Sequence, residues 1–252
     1  SSNWSKKGFV NGGFKENNVI VIPCGVDLKI FKPTNKKRKN QIRNKLNIGN
    51  DHFVFLNVGA MTWNKGIDNL VVAFSVIKKK YSHARLILKD QSNLYKITAK
   101  KLIFDVKKKF PQLLTEEVLS SIILISKNLT LKELSELYGS CEAYVSPYRA
   151  EGFNIPSLEA AACGIPAILT SGGSTDDYFH PSFALKIEGK KKTSNGNWNY
   201  IEPNLESLVS NMSDLIEKRN FLLKKNEAIS FIEKNFTWKL ISKKLSDLFI
   251  ND

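Results

Sequence analysis

Cysteine is scarce in this chain: Cys24, Cys141 and Cys163 are its 3, odd in number and widely scattered. No CxxC pair and no Cys/His spacing of a zinc site occurs. Cys141 and Cys163 sit among small apolar neighbours, as reduced core residues do, which points to a reducing, cytoplasmic setting. Arginine is sparse as well. Among 38 lysines and arginines only Arg38, Arg43, Arg85, Arg149 and Arg219 are arginines. The net charge of +14 invites a nucleic-acid partner. Base-reading surfaces lean on arginine forks, however, so the composition argues against nucleic acid. The lysines read first as solvated faces, and second as attraction to an acidic membrane surface or a phosphate-bearing substrate. No apolar run approaches the length of a membrane span. The opening SSNWSKKGFV lacks a signal-peptide core and reads as mid-chain sequence. His52, His83 and His180 have no metal or triad setting, and no Asp-x-Asp pair stands at a strand end. Neither a metal nor an organic cofactor is expected.

What is present suits a folded α/β unit. With 252 residues and 42% apolar content there is ample material for a core. Short apolar bursts at 19–22, 53–58, 85–88, 122–125, 143–146, 167–170 and 183–187 read as strands. Helix-period segments at 67–80, 93–110, 131–139 and 157–163 alternate with them. The strands do not alternate cleanly between apolar and polar, as expected when both faces of a sheet are covered. Strand–helix–strand recurrence predicts a doubly wound, parallel, Rossmann-like sheet, whose ligands sit outside the carboxyl ends of the strands. Residues 1–40 read as a lead-in, 41–190 as the Rossmann-like domain, and 191–252 as a loop and C-terminal helices packed on it. Within the last part, GKKKTSNGNWNYIEPN reads as an exposed loop, and 205–217, 221–235 and 238–249 as amphipathic helices.

The richest passage is YVSPYRAEGFNIPSLEAAACGIPAILT, residues 144–170. A strand ends at Ser146–Pro147, a loop follows, and Pro156 sets the first turn of a helix that stops at Gly164. A helix N-terminus facing a strand's carboxyl end presents free N–H groups and suits phosphate. Glu151 and Glu159 flank this place, and a carboxylate repels phosphate, so each must bind something else. Hydroxyls are the natural choice, since a carboxylate accepts two hydrogen bonds from a vicinal diol. A diphosphate with a ribose at one end and a hexose at the other satisfies both. The two glutamates can be separated by about 10–15 Å at most. A glycosidase pair needs about 5–9.5 Å and is less natural here. Taken singly, either glutamate reads as an ordinary surface charge; the strand, the Gly-Phe-Asn loop, Pro156 and the small-residue helix around them outweigh that.

EGFNIPSLEAAACGIPAI resembles the E-x7-E signature of the group 1 retaining glycosyltransferases, which have the two-domain GT-B fold. VIPCGVDLKIFKP resembles the segment where that family's C-terminal domain begins. VGAMTWNKGIDNLVVAF resembles its VGRLxxxKG segment, and FTWKLISKKL its terminal helix. The resemblance implies transfer of a hexose, with retention, from a UDP- or GDP-linked sugar to a glycan, lipid or protein acceptor. It implies that Glu151 touches the donor sugar's hydroxyls and Glu159 the ribose, while the Gly152, Phe153 and Asn154 backbone and the helix start at Ser157 and Leu158 meet sugar or phosphate. Lys65 would neutralise the diphosphate and stabilise the departing nucleotide, and Gly59 would admit backbone close to the phosphates. The chain departs from the family at one point: Ala60 stands where the family carries an arginine. Thr62 or a lysine from elsewhere is the expected substitute, and the direction of Arg149 is open.

Two signals are weaker. Gly172-Gly173 reads equally as a sugar-side or phosphate-side loop and as simple turn chemistry. The residues from Ser126 fall where the family's nucleotide base rests, and also read as a helix-capping turn. Two rival functions fit less well: a nucleotide-sugar epimerase, for which His180 is the sole nearby acid–base candidate, and a non-catalytic basic module for nucleic acid or membrane. The resemblance further implies an N-terminal acceptor domain as partner, little transferase activity in these residues alone, and a terminal helix from Trp238 that exposes apolar side chains.

Overall fold

The computed structural model describes residues 1–196, 198–218 and 224–250. Six strands form one parallel sheet: β1 (Phe53–Val58), β2 (Ala84–Lys89), β3 (Ile122–Ile125), β4 (Ala143–Ser146), β5 (Ala167–Thr170) and β6 (Ala184–Ile187). Their spatial order is β3-β2-β1-β4-β5-β6, a doubly wound sheet whose direction of winding reverses between β1 and β4. That ladder pairs only Phe55 with Ala143 and Leu56 with Tyr144. The Asn57 amide lengthens it by donating to the Val145 carbonyl at 2.7 Å.

Eleven α-helices are described: α1 (Asn3–Asn11), α2 (Lys36–Lys45), α3 (Ile67–Lys80), α4 (Ser92–Tyr95), α5 (Ala99–Lys109), α6 (Glu116–Ser120), α7 (Leu131–Gly139), α8 (Ile155–Ala162), α9 (Leu205–Lys218), α10 (Lys225–Asn235) and α11 (Trp238–Ile250). Strand side chains alternate between two cores. On one face Val54, Leu56, Val58, Ile87 and Tyr144 pack with α7, α8 and α10. On the other, Phe55, Leu86, Leu88 and Val145 pack with α3, α5 and α9. Because helices cover both faces, the strands read as continuous apolar runs.

Three expectations are corrected. The 19–22 run is not a strand: it follows a short 3-10 turn at Glu16–Asn18 with no neighbour to form a ladder, and Ile20 lies exposed. The chain instead docks at the start of α11, where Val26 bridges Thr237 and a side chain on Gly25 would meet the Trp238 backbone nitrogen at 2.6 Å. The single helix expected over 93–110 is divided between α4 and α5. Lys96 turns left-handed (φ 54°), and Thr98 caps the second helix by accepting from Lys101 N at 3.1 Å. The loop expected after Ile187 contains an antiparallel hairpin, β7 (Gly189–Thr193) with β8 (Asn199–Pro203). Every β7 residue is exposed, so its lysines mask the strand; only Ile201 and Pro203 of β8 turn inward. The apolar exposure expected of the terminal helix is present, with Trp238, Leu245, Phe249 and Ile250 outward and Ile241 buried.

Candidate functional site

The carboxyl ends of β1 and β4, the two strands at the reversal, carry the loops that make the site. After β1 the backbone passes Gly59 and Ala60 and closes a 3-10 turn at Trp63–Lys65. Gly66 ends that turn with φ 66°, and a Cβ there would lie 1.9 Å from the Pro147 carbonyl oxygen. Only glycine permits this approach to the β4–α8 loop. Asn64 completes the clasp: its carbonyl accepts from Arg149 N (2.7 Å) and Ala150 N (3.2 Å), and its amide donates to the Ala150 carbonyl at 3.0 Å.

The clasp brings Lys65 onto Glu151, residues 86 positions apart. The ammonium donates to a Glu151 carboxylate oxygen, and the pair is mostly shielded, with side-chain exposures of 25% and 14%. The other Glu151 oxygen accepts from Gly152 N at 3.1 Å. Gly59 lies beneath, the position of its missing Cβ 4.0 Å from Lys65 Cε. A cavity of about 540 Å³ opens beside Glu151 and Gly152, closed on its far side by Trp4, Ser5 and Phe9 of α1. Ser1 and Ser5 hydroxyls both donate to the Gly152 carbonyl, at 3.1 and 3.2 Å.

Next in the chain, α8 starts at a left-handed Asn154 (φ 74°) whose side chain does not cap it. The Asn154 amide donates to Ser146 Oγ at 3.0 Å and accepts from Tyr144 OH at 3.3 Å. Phe153 and Leu158 are buried in the core, and the Ser157 hydroxyl is held between the Asn154 carbonyl (2.8 Å) and Tyr178 OH (2.7 Å). The side chains of Phe153, Asn154, Ser157 and Leu158 are thus engaged in packing and in hydrogen bonds within the fold. One turn further on, Glu159 accepts from Tyr138 OH at 2.9 Å. Burial pushes its carboxyl up to about 7, against the opposing pull of the Tyr138 hydrogen bond.

The remaining sequence candidates lie further out. Thr62 lines a different cavity, against α5, which shares no lining residue with that of Glu151. Gly172 turns with φ 87° and its N–H goes to Asp176 at 2.8 Å, while a Cβ on Gly173 would meet Tyr148 OH at 2.7 Å. Turn geometry and packing account for both. The Ser126 hydroxyl donates to Asp90 at 2.7 Å. His180 stacks on Phe231 (4.4 Å between rings), with Nδ1 2.7 Å from Ser182 Oγ. Arg149 points away from Lys65. It forks onto both Asp68 oxygens at 2.8 Å, reaches Glu202 at 3.0 Å and lies 4.9 Å from the Trp63 ring centre. Burial disfavours its charge, but these carboxylates outweigh that and raise its pKa. Sequence reasoning missed two residues at this edge, Lys89 and Asp90, both buried; a lysine closing a strand reads as solvent-facing. Among the described residues no group of three His, Cys, Asp or Glu side chains is placed to hold a metal.

The profile of the family described as "Glycosyl transferases group 1" matches residues 38–230. The chain belongs to this family. The match covers most of the chain and agrees with the parallel sheet. The chain superposes on a Rickettsia africae glycosyltransferase with a TM-score of 0.76 at 18% identity, covering 98% of this chain and 61% of that one. On Anabaena Alr3699/HepE, solved with UDP-glucose, the TM-score is 0.79 at 16% identity, covering 100% and 62%. Among curated relatives, a GDP-mannose-dependent phosphatidylinositol monomannoside mannosyltransferase of Corynebacterium glutamicum is 23% identical over 234 residues, 90% of this chain and 55% of the relative. The mannosylfructose-phosphate synthase of Agrobacterium fabrum is 27% identical over 161 residues, 64% of this chain and 34% of the relative. The chain therefore spans a third to just over half of the length of these two curated relatives.

Proposed function

We propose that the groove between β1 and β4 binds a nucleotide diphosphate sugar and serves hexose transfer with retention at the anomeric carbon. The observation that carries this reading is the meeting of Lys65 and Glu151 at the reversal point of the sheet, beside the uncapped start of α8. A lysine, a glycine-lined approach and a helix start without a side-chain cap suit a diphosphate; a carboxylate next to them suits sugar hydroxyls. Glu159, one helical turn away, suits the ribose. When the bond from the anomeric carbon to the diphosphate breaks, negative charge grows on the departing phosphate, and the Lys65 ammonium lies where it would stabilise that charge. Because the counter-charge is a lysine, binding should need no divalent metal, and a chelator should leave it unchanged. UDP- and GDP-linked sugars are the donor classes to try, as Anabaena Alr3699/HepE was solved with UDP-glucose and the Corynebacterium relative is GDP-mannose-dependent by name.

Calorimetry tests the assignment. Lys65→Ala should weaken nucleoside diphosphate binding by about 1.5–3 kcal/mol, the range of a charge-assisted contact. Equal affinity in wild type and variant would remove Lys65 from the site. NMR of the anomeric configuration of a transferred sugar tests retention.

A further inference from the structure

Lys89 closes β2 at the same carboxyl edge and is 7% exposed. Its neighbours in register are Val58 on β1 and Ile125 on β3, and its carbonyl accepts from Gly59 N at 3.1 Å. Ile87, two residues earlier, packs with Val54, Leu56 and Leu158, so alternation puts Lys89 on the sheet face that carries α8 and Glu159. A buried ammonium normally sits against a carboxylate. The adjacent Asp90 carboxylate is committed elsewhere, to Ala99 N (2.9 Å), Ser92 N (3.2 Å) and Ser126 Oγ (2.7 Å). Lys89 donates to the Asp90 carbonyl and makes no ion pair among the described residues, so two of its three donors have no protein partner.

Charge counting gives that ammonium a purpose. Lys65 is already neutralised by Glu151, and Arg149 by Asp68 and Glu202. Ala60, next to Gly59, offers only a buried methyl group. Among the described residues, Lys65 and Arg149 at these strand ends therefore bring no surplus positive charge to draw in a dianionic diphosphate. We propose that Lys89 is the second cation of the diphosphate site, reaching from β2 across Gly59 to a phosphate oxygen. This rests on the nucleotide-sugar reading of the groove. Burial also lowers the lysine's pKa, with Asp90 partly offsetting it, so the charge is held at a desolvation cost that a phosphate would relieve.

The test is calorimetry with UDP, GDP, uridine and guanosine on wild type, Lys89→Met and the double variant Ala60→Arg/Lys89→Met. Lys89→Met should bind its preferred diphosphate about ten- to a hundredfold more weakly. It should bind the matching nucleoside as wild type does, and the arginine at position 60 should restore most of the loss. Its melting temperature should equal or exceed that of wild type, since a neutral thioether replaces a desolvated charge. Should Lys89→Met misfold, Lys89→Gln keeps a donor for the Asp90 carbonyl and gives the same comparison. Unchanged diphosphate affinity, or an equal loss for the nucleoside, would overturn the assignment. If wild type binds neither diphosphate, the nucleotide reading itself falls.

Discussion

Glu151 and Lys65 face one another directly, so each sets the electrostatics the other's ligand meets. A carboxylate beside the diphosphate site repels phosphate, and its removal frees the lysine. Glu151→Gln should therefore leave plain nucleoside diphosphate binding unchanged or tighter while weakening the sugar nucleotide. Equal weakening of both in calorimetry would mean that the glutamate does not face the sugar. Glu159 makes a separate prediction through its carboxyl, which burial raises to about 7. If the ionised form accepts both ribose hydroxyls, sugar-nucleotide affinity should rise as pH increases through about 7, and Glu159→Gln should abolish that rise. The stability sign is opposite. The folded state holds this proton more tightly than the unfolded chain, whose glutamate titrates near 4.3, so stability should fall with pH between there and about 7 and then level off. Denaturant midpoints for wild type and Glu159→Gln across that window would reveal the slope or its absence.

Among the elements, the 3-10 turn after β1 and the β4–α8 loop behave as one clasped unit. Gly66 makes the clasp possible, Asn64 bonds across it, and Arg149 anchors its outer side to Asp68 and to Glu202 of β8. This explains why the hairpin matters to the site although it lies outside the sheet: Ile201 N donates to the Arg149 carbonyl at 2.8 Å. Gly66→Ala combines a left-handed backbone with a direct clash on Pro147, and should cost about 2 kcal/mol or more of stability. Since the clasp positions Lys65, diphosphate affinity should fall with it. A urea titration that finds wild-type stability for Gly66→Ala would show that the loops are not locked by this contact.

At the scale of the molecule, the sheet supplies a rigid floor, and both clusters of apolar side chains hold its helices without involving the groove. Ligand binding should therefore stabilise the fold without remodelling it. At a nucleoside diphosphate concentration of 100 times its dissociation constant, the expected gain is about 2.7 kcal/mol, readable as a rise in melting temperature. Lys65→Ala should show a smaller rise at the same concentration. An equal rise in both, or none in wild type, would argue against binding in this groove. The exposed side chains of Trp238, Phe249 and Ile250 lie on α11, and those of Phe9 and Phe14 on and just beyond α1.

Strands β1 to β6 and most helices were legible because their signals are local. Apolar bursts bounded by Gly and Pro mark β4 and α8, Thr130 with Glu133 forms a capping box at α7, and the 3.6-residue period marks α3. The places of Glu151, Glu159 and Lys65 in the segments following strand ends were legible too, since a long motif fixes residue types at fixed spacing. What local pattern could not carry was partner choice. The β7–β8 hairpin was hidden because its lysines have no apolar face to show. The direction of Arg149 was open in the sequence, and only the fold turned it onto Asp68 and Glu202, which lie 81 and 53 residues away. Lys89 looked like a surface lysine. Its burial comes with a place on an interior strand flanked by β1 and β3, and its lack of an acid partner depends on Asp90 being drawn off by Ala99, Ser92 and Ser126. The sequence by itself determined which chemical groups this protein has at its strand ends. The tertiary structure decided which of those charges are already neutralised and which is left unpaired, because neutralisation requires contact and contact is made by chain segments far apart in sequence.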